Sequence, residues 1–295
     1  LKMLPLFGRT CFRQLSTSAQ RLGHLESKEV SPYVFHVRLN RPEKRNTLTP
    51  SFWKEFEAVF GELSDNPKCR AIVLSGEGKS FCAGIDLQEG LGELMDMMGN
   101  DELDAARKGR KIGQLVHNFQ KYVTSMESCV KPVIAAIHSH CIGAGIDMIT
   151  ACDVRFASTD SVFSIKEVAV GLAADVGTLA RIQKVVGNDS LTRELAFSAR
   201  DFGAEEALKY GLVSRVLENQ EEVVAEALKL AGIIAEMSPV AVQGTKVVLN
   251  HARNHTIDES LEFVRIWNQS QLNTEDLIKS GMAMMTKQKA EFAEV

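Results

Sequence analysis

The feature that most constrains the fold of this 295-residue chain is a sequence pattern that occurs twice. Ile72–Leu74 leads through a loop to Ala83-Gly84-Ile85-Asp86, and Val133–Ile137 leads to Ala144-Gly145-Ile146-Asp147. In both places a short apolar segment, typical of a buried strand, runs into a turn of small residues that begins a helix. The sequence therefore predicts two strand–turn–helix units of the same kind in an α/β fold.

These two turns have a possible chemical use as well as a structural one. Small residues allow a ligand to approach the backbone closely, and the first amides of a helix lack an intrahelical partner and carry the positive end of the dipole. Two such turns side by side would direct two N–H groups at one oxygen atom, which is what an oxyanion hole requires. Two ordinary, tightly packed units would give the same pattern, so the residues alone leave both interpretations open.

The rest of the chain fits an α/β core followed by a helical C-terminal region. Tyr33–Leu39 alternates apolar and polar residues like a half-buried strand, and Thr49-Pro50-Ser51 is typical of a helix start. Residues 88–104, rich in Gly, Met and acids, are predicted to form a mobile loop before a long helix. After residue 188 the predicted helices cover 189–198, 204–210, 220–236, 240–253, 257–271 and 274–290.

Composition excludes several classes of protein. A hydrophobic content of 45% with mixed charge excludes a disordered or fibrous chain, and a net charge of −4 argues against a general nucleic-acid binder. Apolar stretches are far shorter than the roughly 20 residues that span a bilayer. The six cysteines show no C-x-x-C spacing, and His138, His140 and Cys141 lack a second pair to complete a tetrahedron. We therefore predict neither a disulfide framework nor a metal site.

The N-terminal segment differs from the rest in charge. Residues 1–24 contain four basic residues and several Ser and Thr but no acid, and they lack the apolar core of a secretory signal. This pattern predicts a mitochondrial presequence over residues 1–25, with a disordered basic tail as the alternative. Phe292–Val295 is not an S-K-L-type peroxisomal signal, so the mitochondrial matrix is the predicted location, with the peroxisome as the alternative.

Three acids are the candidate proton-transfer residues: Asp147 in the second turn, Glu167, and Asp175. Asp175 stands in the apolar stretch 172–176, where desolvation would favour its protonated form. Two acids in different environments can divide the roles of acid and base. Asp is also a preferred helix N-cap, so Asp175 as the cap of a helix after Gly177 is the structural alternative.

Several motifs together resemble the crotonase, or enoyl-CoA hydratase/isomerase, superfamily. They are Asn40-Arg41-Pro42, Phe81–Leu87, Lys131–Ala136 and Ala151–Arg155. The resemblance covers about residues 30–290 and implies an α/β fold, a ClpP-like spiral of repeated ββα units. On this basis we expect a catalytic core over 30–220 and a helical oligomerisation region over 221–295.

Hydratases of the superfamily carry glutamates at the positions of Asp147 and Glu167 and a glycine-rich stretch near Asp175. The set Asp147, Glu167 and Asp175 instead resembles members that isomerise 3,5-dienoyl-CoA to 2,4-dienoyl-CoA. The resemblance implies that Glu167 takes the C2 proton, Asp175 delivers a proton at C6, and Asp147 tunes the site, with no cofactor. It also implies that the amides of Ala83 and Ala144 hold the thioester oxygen. Further expected substrate-binding residues are Gly84, Ile85, Asp86, Leu87 and Gly145.

Other implications of the resemblance concern coenzyme A and assembly. Lys44 and Arg45 are expected to contact coenzyme A phosphates or else to form a solvated basic loop. The C-terminal helices are expected to build trimers that pair into hexamers, with Leu261, Val264 and Trp267 as packing positions.

Two residues depart from the superfamily pattern, and other activities on the same fold are the alternatives. Ser139 and Ala144 stand where glycines are usual, and Ala144 fits only if it needs no positive φ. The alternatives to the dienoyl isomerisation are an enoyl-CoA hydratase, a Δ3,Δ2-isomerase, or a non-catalytic binding protein on the same fold. A decarboxylase or hydrolase of another acyl-CoA is a further, minor alternative.

Overall fold

A computed structural model of the protein describes residues 20–90 and 92–295, with only the backbone at 20–22. Most of the predicted presequence, residues 1–19, lies outside the described residues. The strands are β1 (Gln20–Leu22), β2 (Leu25–Ser31), β3 (Val34–Leu39), β4 (Ala71–Gly76), β5 (Val133–Ile137), β6 (His140–Ile142), β7 (Val154–Ser158), β8 (Val162–Ser164), β9 (Phe202–Gly203) and β10 (Arg215–Leu217).

Eleven α-helices are described in these residues. They are α1 (Pro50–Asp65), α2 (Gly92–Gly99), α3 (Ala105–Ser128), α4 (Ala144–Ala151), α5 (Thr178–Val186), α6 (Asp189–Ser198), α7 (Ala204–Lys209), α8 (Gln220–Ala235), α9 (Pro239–Ala252), α10 (Ile257–Gln271) and α11 (Glu275–Thr286). Short 3-10 helices at Pro42–Lys44 and Glu167–Val170 flank the candidate site.

The main sheet has the strand order β1-β2-β3-β4-β5-β7-β10. The first two strands are antiparallel, and the pairs from β3 onward are parallel. Every residue of β4 and of β5 is buried. Fully apolar strands of this kind belong inside a sheet that is covered on both faces, as parallel sheets are.

Two apolar clusters cover the two faces of this sheet. On one face α1 contributes Phe52, Phe56 and Phe60 at helical spacing, and its N-cap Thr49 accepts a hydrogen bond from the Phe52 amide at 3.2 Å. On the other face α8 packs through buried alanines and Val223. The boundary expected at 220/221 thus falls ahead of a helix that lies with the core.

A small sheet holds the ends of the core strands in place. Its order is β6-β8-β9, with β6 parallel to β8 and β8 antiparallel to β9. An isolated bridge between Cys82 and Cys141 joins the loop after β4 to β6. The small sheet therefore positions the two turns that the sequence singled out.

Two sequence predictions differ from the structure. The predicted loop 88–104 contains α2, which the pattern missed because this helix buries none of its side chains. The first repeated turn does not begin a helix: Asp86–Gly90 forms turns, and the next described helix starts at Gly92. Only the second turn, at α4, is a helix N-terminus.

Within the described residues, none of the helices is both long and apolar enough to cross a bilayer. The same residues contain no cluster of His, Cys, Asp or Glu that could hold a metal ion.

Candidate active site

The two repeated turns lie side by side. The Cys82 amide donates to the His140 carbonyl and the Ile142 amide donates to the Cys82 carbonyl, each at 3.0 Å. Glycine is needed for this close approach: a Cβ on Gly84 would lie 3.2 Å from the Ile142 oxygen, and one on Gly145 would lie 3.2 Å from the Cys82 oxygen. Gly84 also has a φ of +97°, which favours glycine.

The first turn presents a different amide from the one the sequence predicted. The Ala83 N–H donates to the Arg45 carbonyl at 3.0 Å, so it is not free to bind a substrate oxygen. The flanking hydrogen bonds, Leu48 N–H to Gly84 O and Asp86 N–H to Leu48 O, leave the Ile85 N–H without an acceptor among the described residues. Ile85, and not Ala83, therefore supplies the free amide of this turn.

The second turn presents the amide that was predicted. Gly143, with φ +52°, is the N-cap of α4, and Ala144 is the first helical residue, whose N–H has no intrahelical acceptor. Ala144 is not among the residues with positive φ, so its methyl group is compatible with the turn. Ser139, by contrast, adopts φ +48°, a strained value for a residue with a side chain.

The Asp86 side chain is occupied by contacts within the protein. Its carboxylate accepts a hydrogen bond from Arg41 at 2.7 Å and from the amides of Gln88 and Glu89. The Arg41 guanidinium lowers the pKa of Asp86. This buried ion pair fixes the loop that carries the Ile85 amide, while the neighbouring Leu87 side chain is 54% exposed beside it.

Asp147 is buried on the inner side of the second turn. One of its carboxylate oxygens, Oδ1, accepts hydrogen bonds from the amide and the hydroxyl of Thr178, at 2.6 and 2.7 Å. Burial raises the pKa of Asp147 to about 6, although these two bonds act in the opposite direction. The two bonds from Thr178 thus fix the orientation of the Asp147 carboxylate.

Glu167 lies at the start of the 3-10 helix, facing the second turn. Its Oε1 is 3.3 Å from the position that a Cβ on Gly143 would take, and its buried Oε2 has no hydrogen-bond partner among the described residues. Burial, together with the Asp147 carboxylate, raises the pKa of Glu167 to about 7. An unpartnered carboxylate that titrates near neutral pH is suited to general-base work.

Asp175 is not the helix cap that the sequence left open. The N-cap of α5 is Gly177, and no side chain caps that helix. The Asp175 carbonyl accepts a hydrogen bond from Gln120 at 2.7 Å, and partial burial raises the pKa of the Asp175 carboxyl. The Asp175 charge also raises the pKa values of Asp147 and Glu167, so the three acids form one electrostatic group.

Basic side chains flank the first turn. Lys44 and Arg45 are exposed, and the Arg45 carbonyl holds the Ala83 amide. Gly78 packs against Pro42, which places the exposed Lys79 near the same short helix. The position of Lys79 adds a third cation to Lys44 and Arg45.

Two features of the site were not identified from the sequence: the free amide of Ile85 and the side chain of Thr178. Ile85 was expected to line the pocket, but its free amide becomes apparent only once Arg45 is seen to occupy the Ala83 amide. Thr178 was not singled out at all. The Gly177-Thr178 pair at a helix start signals a cap, but nothing local indicates a bond to Asp147, 31 residues away.

Comparison with known proteins identifies the family of the chain. The profile of the enoyl-CoA hydratase/isomerase family matches residues 29–295. The mitochondrial Δ3,5-Δ2,4-dienoyl-CoA isomerase of Mus musculus is 47% identical, over 96% of this chain and 89% of the mouse protein. The corresponding Homo sapiens protein is 49% identical, over 85% of this chain and 76% of the human one.

A solved structure shows the same fold. The enoyl-CoA hydratase of Bacillus anthracis superposes with a TM-score of 0.82 at 24% identity, covering 92% of this chain and 99% of the hydratase. The predicted crotonase architecture, an α/β core with a helical C-terminal region, is confirmed. The chain belongs to the enoyl-CoA hydratase/isomerase family.

Proposed function

We propose that this protein isomerises 3,5-dienoyl-CoA to 2,4-dienoyl-CoA during the β-oxidation of unsaturated fatty acids. The mouse and human relatives that bear the name of this activity are 47% and 49% identical to the chain over the aligned residues. The observation that carries the proposal within the site is Asp175, a third carboxyl with a raised pKa that caps no helix. A shift of unsaturation over several carbons needs two separated proton-transfer groups, and Glu167 with Asp175 supplies them.

The oxyanion hole is proposed at the two free amides. The thioester carbonyl oxygen accepts hydrogen bonds from the Ile85 and Ala144 N–H groups, with Gly84 and Gly145 leaving room for it. Loss of the C2 proton turns the 3,5-dienoyl thioester into an extended trienolate, whose negative charge these two donors stabilise. Removing one donor of this kind typically costs on the order of 3 kcal/mol.

The two proton transfers are assigned to Glu167 and Asp175. Glu167 removes the proton from C2, the electrons move through the conjugated system, and Asp175 delivers a proton to C6. The reaction neither gains nor loses a proton overall, and no electron acceptor enters the balance. The proposed mechanism therefore calls for no cofactor beyond the coenzyme A that the substrate carries.

Hydration is the alternative that the site supports less well. Two carboxylates must hold one water for that reaction, but Asp147 has one oxygen bound twice by Thr178. Its side chain is also one methylene shorter than the glutamate of hydratases. A purely binding role is disfavoured by the cost of keeping three acids close together when Arg181, the cation that lowers the pKa of Asp147, is itself paired with Glu127.

Two further proposals concern the binding of coenzyme A and the location of the protein in the cell. The exposed Lys44, Arg45 and Lys79 flank the first turn, where they suit the phosphates of coenzyme A. The mitochondrial relatives support a mitochondrial protein, and we place it in the matrix.

Self-association is proposed at the C-terminal helices. Val264 and Trp267 line a cavity of about 400 Å³ between α9, α10 and α11, whereas Leu261 is 63% exposed. Other exposed apolar residues on α10 and α11 are Ile257, Ile266, Ile278, Met284 and Met285. A surface this apolar suits burial against further copies as a trimer or a pair of trimers. Sedimentation equilibrium tests this assembly.

An ultraviolet assay of the purified protein tests the proposed reaction. The substrates are 3,5-octadienoyl-CoA and, separately, crotonyl-CoA. The expected result is growth of the conjugated 2,4-dienoyl thioester with little hydration of crotonyl-CoA. Fast crotonyl hydration without dienoyl conversion would contradict the proposal, and so would silence on both substrates.

A further inference from the structure

Thr178 makes the two hydrogen bonds that the Asp147 carboxylate accepts within the described residues. The Thr178 side chain is fully buried, and it stands at the first position of α5, directly after Gly177. Its hydroxyl and its amide both donate to Asp147 Oδ1, at 2.7 and 2.6 Å. Both donors favour the charged form of the carboxyl over the neutral form.

Among the described residues, no ion pair to Asp147 is present that could replace those bonds. The one cation that lowers its pKa, Arg181 on α5, is itself bound to Glu127 on α3 at 2.7 Å. The ionisable groups that face Asp147 are Glu167 and Asp175 in the site, the thiols of Cys82 and Cys141 beneath the turns, and the Arg181–Glu127 pair. Thr178 is thus the direct contact that holds the carboxylate in place.

We propose that Thr178 is a positioning residue, whose hydroxyl and amide hold Asp147 as a fixed carboxylate so that its charge acts on Glu167. The proposal rests on the isomerase function given above. The Asp147 charge is one of the causes that raise the pKa of Glu167 toward neutrality, and the Thr178 bonds lower the pKa of Asp147. Losing the hydroxyl would let Asp147 take up a proton and so reduce the repulsion on Glu167.

The kinetic test compares Thr178→Val with Thr178→Ser. In Thr178→Val, the acid limb of kcat/KM for 3,5-octadienoyl-CoA is expected to move down by about half a pH unit or more, since a hydrogen bond to a charged group is lost. Thr178→Ser keeps the hydroxyl and should keep the wild-type limb. A lower rate in Thr178→Val with an unmoved acid limb would overturn the proposal, because that is the result of a merely structural role. Thr178→Ala serves as a second hydroxyl-free variant if valine prevents folding.

An infrared measurement tests the same point without any substrate. At pH 7, with Glu167→Gln present in every protein compared so that the Glu167 carboxyl does not contribute, Thr178→Val should strengthen the carboxylic-acid C=O stretch, and this increase should be absent when Asp147→Asn is added. An unchanged spectrum would overturn the positioning role. If the wild type fails to isomerise dienoyl-CoA, the spectrum still reports on Asp147, so failure of the function and failure of this inference are distinguishable.

Discussion

The two Ala-Gly-Ile-Asp turns have the same sequence but opposite electrostatics at their aspartates. Asp86 in the first turn is bound by Arg41 at 2.7 Å, and its pKa is lowered. Within the part of the chain that the structure describes, the Asp147 carboxylate in the second turn accepts hydrogen bonds from Thr178 alone, and burial raises its pKa to about 6. Each turn supplies one free backbone amide, but only the second carries a charge that acts on a base. Local sequence thus sets the backbone geometry, while the partner from elsewhere in the chain decides the chemistry.

Glu167→Gln is expected to give the largest effect, because it removes the base beside the second turn. General bases contribute about 10²- to 10⁴-fold to a rate, so kcat for dienoyl isomerisation should fall at least about 10²-fold. Circular dichroism and thermal unfolding should stay close to the wild type. Glu205→Gln, at an exposed acid on α7, is the matched control and should leave kcat unchanged. A tenfold or smaller loss would remove Glu167 from the base role.

Asp86→Asn is expected to lower the free energy of unfolding by about 2 kcal/mol at pH 7, because the buried Arg41 loses its closer charge partner and keeps only Glu89 at 3.2 Å among the described residues. The folded pKa of Asp86 is lowered, so the ion pair contributes above the ordinary value of 3.8 and is lost as pH falls below it. The difference from the wild type in urea unfolding should therefore shrink at low pH. Asp101→Asn, at an exposed loop acid, is the control.

Asp147→Asn tests the effect of the second aspartate on the free energy of unfolding. Asparagine keeps the acceptor for Thr178, and the folded pKa of Asp147 is raised, so its ionisation opposes folding as pH rises from 3.8 through about 6. The variant should be as stable as the wild type or more stable at pH 7, in urea unfolding. A loss of stability similar to that of Asp86→Asn would erase the contrast between the turns.

Asp175→Asn is expected to reduce isomerisation at least about tenfold, since the proton for C6 loses its donor. The exposed position of Asp175 predicts no loss of stability. The ultraviolet assay measures the rate, and near-normal activity would exclude Asp175 as the donor.

The smallest expected effect is a pH dependence of the wild type. Because Glu167 must be ionised to accept a proton and its pKa is about 7, kcat/KM should fall as pH drops below neutrality. A profile that stays flat down to pH 5 would show that the base titrates at an ordinary carboxyl pKa.

Much of this site was open to prediction because its backbone follows from local patterns. The buried strands β4 and β5, the helix start at Thr49 and the two small-residue turns are all visible as periodicity, caps and glycines. The free amide at Ile85 could not be predicted, because Ile85 is the free donor only since the Arg45 carbonyl binds the Ala83 amide. Arg45 lies 38 positions before Ala83 and has a φ of +51°. Thr178 could not be predicted either, because its partner Asp147 lies 31 residues away in the sequence. The helix α2 buries none of its side chains, and so it left no apolar periodicity to detect.

The division of labour between Glu167 and Asp175 is the central claim, and deuterium exchange at C2 tests it most directly. A 3,5-dienoyl thioester incubated in D₂O is recovered unreacted and its C2 protons are counted by proton NMR. Asp175→Asn should exchange C2 protons while forming little 2,4-dienoyl product, because Glu167 still removes the proton. Glu167→Gln should lose both exchange and product. Loss of C2 exchange in Asp175→Asn, or its retention in Glu167→Gln, would contradict the assignment.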